Sequence, residues 1–91
     1  MSLFTMMVRD TFHLGNGRTV FVGPLEKHLK YIPPCDCEIV VNDEVRGTVR
    51  IDGEDFLKDK GIPDRAISTS QRVDLTRWGI GTGGFTIRSK D

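Results

Sequence analysis

Cys35-Asp36-Cys37-Glu38-Ile39-Val40-Val41-Asn42-Asp43-Glu44-Val45-Arg46-Gly47-Thr48-Val49-Arg50-Ile51 is the stretch that decides the fold. On both sides of its Asn-Asp-Glu centre, apolar or small residues alternate with polar ones, the period of a strand with one face on a core. A three-residue loop, Asn42 to Glu44, pairs Val41 with Val45, Ile39 with Gly47, Cys37 with Val49 and Cys35 with Ile51. Every inward position is then apolar or glycine. The outward face pairs Val40 with Arg46, Glu38 with Thr48 and Asp36 with Arg50, the last of opposite charge. A two-residue Asn42-Asp43 loop instead sets Ile39 against Arg46, a guanidinium on the core face, so the longer loop is expected.

Working outward, Pro33-Pro34 forces an extended approach, so a strand is expected to begin near Cys35. Upstream, Met6 to Val22 reads as a hairpin about Asn16-Gly17, taken as a type I′ turn. That register sets Leu14 opposite Thr19 and Phe12 opposite Phe21 on the core face, with His13 opposite Val20 and Thr11 opposite Val22 outside. Gly23-Pro24 is expected to end it, because proline cannot donate to a ladder. Glu26 to Lys30 reads as a turn of helix, and Glu54 to Lys60 as a short helix capped by Asp52 or Gly53. Ala66 to Ser70 and Arg72 to Leu75 read as short strands or one bent strand, Gly79 to Gly84 as a loop, and Gly84 to Arg88 as the last strand. The prediction is an all-β domain: a small closed or nearly closed antiparallel β-barrel of five to six strands with one short helix. Residues 6–91 form one domain, and Met1 to Thr5 a disordered leader.

At 91 residues there is room for one core, with little stability to spare. Apolar runs no longer than Val20 to Val22 or Ile39 to Val41 exclude a membrane-spanning helix. One cysteine pair without a signal peptide argues for the cytoplasm rather than a disulfide framework. The net charge of zero hides asymmetry: +2 over 1–35 (four basic, two acidic), −5 over 36–64 (four basic, nine acidic) and +3 over 65–91 (five basic, two acidic). A neutral total disfavours bulk attraction to nucleic acid or membrane, while the uneven halves create local fields.

Phe12-His13-Leu14-Gly15-Asn16-Gly17-Arg18-Thr19-Val20-Phe21-Val22-Gly23 resembles the opening hairpin of the β-barrel second domain of translational GTPases of the elongation factor Tu type. Tyr31 to Val41 is similar to that domain's next strand, and Gly53-Glu54-Asp55-Phe56-Leu57-Lys58-Asp59 to the Glu-x-Phe segment that follows. The likeness covers about two thirds of the chain. It departs at Pro33-Pro34-Cys35, where the family usually places a glycine and an acidic residue. What it implies is a barrel and a docking role. The G-x-x-x-x-G-K-[ST] phosphate loop does not occur, so GTPase activity is not carried over.

Three kinds of chemistry are candidates. Arg65, Arg72, Arg77, Arg88 and Lys90 with Trp78 combine phosphate-gripping cations with a stacking ring, the mixture used on RNA or single strands. Their alternative is a solvated charged face. Cys35 and Cys37 face the same way from one strand, and His13 and His28 would complete four zinc ligands. Against that, C-x-C is not the usual knuckle, and packing the thiols on Val49 and Ile51 as small core hydrophobes is the expected arrangement. The Gly79 to Gly84 run lacks the following helix of a nucleotide fingerprint. Ser68, Ser70, His28 and Asp74 lack a nucleophile elbow, and Asp52, Glu54, Asp55 and Asp59 do not match a calcium loop. The expectation is a non-enzymatic binding or interaction module, without cofactor, that docks a protein partner or a second copy of itself.

Overall fold

The computed structural model describes residues 4–26, 31–55, 64–71, 73, 75, 76, 79–81 and 84–90. The chain is mainly β. Its strands are β1 (Thr5–Val8), β2 (Asp10–His13), β3 (Thr19–Pro24), β4 (Cys35–Val41), β5 (Glu44–Ile51), β6 (Gly53–Asp55), β7 (Asp64–Thr69) and β8 (Phe85–Ser89). They form two four-stranded antiparallel sheets, β1-β8-β4-β5 and β2-β3-β7-β6. A single residue, Arg9, separates β1 from β2, and Asp52 alone separates β5 from β6, so each pair is one strand bent from one sheet into the other. Among the described residues there is no α-helix. Glu54 and Asp55, expected to open one, lie in β6; the remainder of that segment and residues 27–30 lie outside the described residues.

The core lies between the sheets. Phe21 of β3 meets Phe85 of β8 edge-on, ring centroids 6.0 Å apart at 87°, a geometry that sets the positive rim of one ring on the negative face of the other. Around them Met6, Ile39, Ile51, Ile67 and Ile87 are fully buried. Each such side chain contributes about 1.5–3 kcal/mol relative to exposure. Phe4 and Thr5, read as leader, belong to the fold: Phe4 is buried, its N–H donates to Ser89 Oγ at 3.1 Å, and Thr5 begins β1.

The β4–β5 hairpin keeps the expected register from Cys35↔Ile51 to Ile39↔Gly47, with Asp36 facing Arg50 at 3.3 Å. Its tip differs. Asn42 and Asp43 sit at φ 51° and 65°, the two left-handed positions of a two-residue turn, and Val41 pairs with Glu44, Val40 with Val45. The register shifts between Ile39 and Val40, leaving Arg46 as the extra residue of a bulge. That bulge removes the objection to the shorter loop, because Ile39 never meets Arg46.

The first hairpin slips by one residue from expectation. Thr11 pairs with Phe21, Phe12 with Val20 and His13 with Thr19. Only Gly17 of the Asn-Gly pair has positive φ, at 87°; Gly17 N–H donates to Leu14 C=O and Leu14 N–H to Arg18 C=O. The connection is therefore the three-residue Gly15-Asn16-Gly17 loop, in which glycine supplies the left-handed residue of a bulge. The slip turns Phe12 outward and Thr11 inward. As expected, β3 ends at Gly23-Pro24, Pro24 forming its last pair with Asp64, and Leu25 adds only an isolated bridge to Met6.

Candidate binding surfaces

The basic set is divided by the fold. Arg65, on β7, donates to Glu54 of β6 through Nε and through Nη2 at 2.6 Å, and Glu54 Oε1 also accepts Ile32 N–H at 3.2 Å. The hydrogen bonds from Arg65 hold the Glu54 carboxyl below its ordinary range, against a burial that pushes upward. The same bonds hold the Arg65 guanidinium more firmly protonated. Arg88, on β8 in the other sheet, lies 3.8 Å from Glu38. Each guanidinium thus faces a carboxylate rather than a shared phosphate cradle, and Lys90 N–H donates to Asp36 C=O. Arg72, Arg77 and Trp78 lie outside the described residues.

Cys35 and Cys37 are buried in the core, Sγ to Sγ 3.6 Å, on the inward face of β4 opposite Ile51 and Val49. His13 is exposed, its Nδ1 3.4 Å from Thr19 Oγ1, and His28 lies outside the described residues. Among the described residues no three His, Cys, Asp or Glu side chains gather to hold a metal. Ser68 accepts Arg18 Nη2 at 2.6 Å, and the same Arg18 nitrogen lies 3.9 Å from Asp52. Gly84, at φ 79°, donates to Val8 C=O, a corner leading into β8.

Two placements of exposed apolar side chains were not expected. On the outside of the second sheet, Phe12 is 49% and Leu14 45% exposed, beside a depression of about 150 Å³ lined by His13, Leu14, Gly15, Gly17 and Arg18. On the outside of the first sheet, the registers Met7↔Thr86, Thr86↔Val40 and Val40↔Val45 align four residues in one row across all four strands. Met7 at 61% and Val45 at 43% exposure form its ends, with Val40 buried between them. The signal for the first surface was present in the Gly15-Asn16-Gly17 triplet, since moving the loop by one residue turns Phe12 out. The second needs the pairing of β1 with β8 and of β8 with β4, which no local pattern specifies. No protein family, curated protein or solved structure matches this chain.

Proposed function

We propose that this chain is a non-enzymatic interaction module on a small six-stranded barrel, of the kind seen in the second domain of elongation factor Tu-type GTPases, and that it docks a protein partner. Support for the barrel comes from the circuit of pairings. The bent strand β1–β2 meets β3, β3 meets β7, β7 meets the bent strand β6–β5, then β4, β8 and β1 follow in turn. Closing such a circuit protects the backbone edges of a small domain.

The observation that supports the docking role is the outward placement of Phe12 and Leu14 side by side on the outside of the second sheet, next to the depression at the Gly15-Asn16-Gly17 loop. The Glu54–Arg65 pair, with Ile32 N–H on the same carboxylate, ties β6 to β7 and to the segment before β4. The test is affinity capture from source extract with the wild type and the Phe12→Ser, Leu14→Ser double variant, read by mass spectrometry alongside sedimentation at several concentrations. A partner or a self-association that the variant loses, at an unchanged unfolding midpoint, is expected. Identical captures together with a monomer at every concentration defeat the reading.

A further inference from the structure

Cys35 and Cys37, inside the core and apart from the exposed Phe12 and Leu14, open β4. Their Sγ atoms stand 3.6 Å apart on the inward face, in contact past the outward-facing Asp36. The two ends of the pair are held differently. Cys37 is fully buried and lies between two strands, opposite Val49 of β5 and Ser89 of β8. Cys35 is 4% exposed. It pairs with Ile51, the last residue of β5 before the bend at Asp52, and the β8 ladder begins only two residues later, at Cys37. Just upstream, Pro33 and Pro34 carry no N–H to anchor the approach. One thiol is thus fixed on both sides, and the other sits where the strand starts.

We propose that this pair is a site of reversible oxidation, at which a hydroperoxide joins Cys35 to Cys37 in an intrastrand disulfide. The Cys35 thiolate attacks one peroxide oxygen; the O–O bond breaks, and the other oxygen leaves with a proton as an alcohol or, from hydrogen peroxide, as water. Cys37 Sγ then attacks the sulfenic acid on Cys35, forming the S–S bond while the S–O bond breaks and water leaves. Two thiols and one hydroperoxide give one disulfide, one alcohol and one water. The sulfurs lose the two electrons that cleave the O–O bond, and both thiol protons end in the products. A hydroperoxide is favoured over a bulky low-molecular-weight disulfide because only a small reagent reaches a thiol 4% exposed, when the strand start opens locally. Residues two apart on a strand have Cα atoms about 6.6–6.8 Å apart, the upper limit of disulfide geometry. From 3.6 Å, the sulfurs must also close by about 1.5 Å. Cys35 is therefore drawn toward Cys37, pulling on its pairing with Ile51 at the corner where β5 passes into β6. A disulfide made against the strand's own spacing is readily reduced, which makes it reversible rather than a structural staple.

The test is intact-mass spectrometry of the folded full chain treated with hydrogen peroxide and then with dithiothreitol. Expected are loss of two hydrogens from the monomer, reversal by the reductant, and NMR shifts concentrated at Cys35, Asp36 and Ile51. The rate is expected to stay constant in urea well below the unfolding midpoint, because opening the strand start exposes little surface. Cys37→Ala is expected to stop at a sulfenic acid on Cys35 that dimedone traps, and Cys35→Ala to react about tenfold more slowly. Four results would each overturn the assignment: disulfide-linked dimers, a product that dithiothreitol does not reverse, a rate that climbs with urea in step with global unfolding, or equal rates for the two variants. The wild-type readouts need no variant, so they decide the bond even where an alanine unfolds the core.

Discussion

Gly23 sits where the backbones of two strands nearly touch. A Cβ there would stand 1.9 Å from the Met7 carbonyl oxygen, so the backbones of β3 and β1 approach where only glycine fits. Gly23→Ala is expected to cost more than about 3 kcal/mol, because backbone rather than a flexible side chain must move. Gly15→Ala, with nothing within 4 Å of its added carbon, is expected to stay within about 0.5 kcal/mol. Urea unfolding of both variants checks the contrast, and equal midpoints would contradict the close approach. The Glu54–Arg65 pair gives a second residue-scale prediction. Glu54's folded pKa is depressed, so its contribution is complete above the unfolded value of about 4.3 and disappears as pH falls through the lower folded value. Glu54→Gln is expected to lose about 1–3 kcal/mol near neutral pH, since Arg65 and Ile32 N–H lose a charged acceptor. Unfolding midpoints measured against pH should show the gap to wild type closing in acid; a gap independent of pH would rule the pairing out as its source. From the sequence Arg65 reads only as a candidate cation for RNA; its pairing with Glu54 was not legible, since that depends on β6 lying beside β7.

At the scale of elements, the two hairpins exchange their expected loops. Asn16-Gly17 looks like the two-residue turn and is part of a three-residue one; Asn42-Asp43 looks like part of a longer loop and is the two-residue turn. In each case the core face decides. Register is fixed by which side chains are buried, and a bulge at Arg46 lets the tight turn coexist with the buried Ile39↔Gly47 pair. Asp43 holds φ 65°, a region glycine adopts without penalty. Asp43→Gly is therefore expected to raise stability by about 0.5–1 kcal/mol. Chemical denaturation measures it, and a loss of stability would mean the turn is not of this type. The alternation through Cys35 to Ile39 made the β4–β5 strands and the buried thiols readable, whereas the tip was not, because a bulge leaves no mark in an apolar–polar pattern.

Across the whole molecule, β8 lies between β1 and β4, pairing Arg88 with Thr5 near the other end of the chain and with Glu38 near its middle. Such non-local pairing must close long loops before it gains contacts, so refolding is expected on the millisecond-to-second scale. Stopped-flow circular dichroism checks this, and relaxation in microseconds would be incompatible with the topology. Removing residues 85–91 strips both neighbours of their partner and exposes the Phe4 and Ile39 core; loss of the far-ultraviolet strand signal is expected, and a retained signal would disprove β8's central position. The amino-acid sequence by itself determined the β class, the strand from Cys35, the inward cysteines and most of the β4–β5 register, because alternation and proline act over neighbouring residues. Tertiary structure alone decided which strands bend between sheets, which cations are already paired, and that Met7, Thr86, Val40 and Val45 share a row. Those outcomes depend on contacts between segments dozens of residues apart, where burial in the common core outweighs local preference.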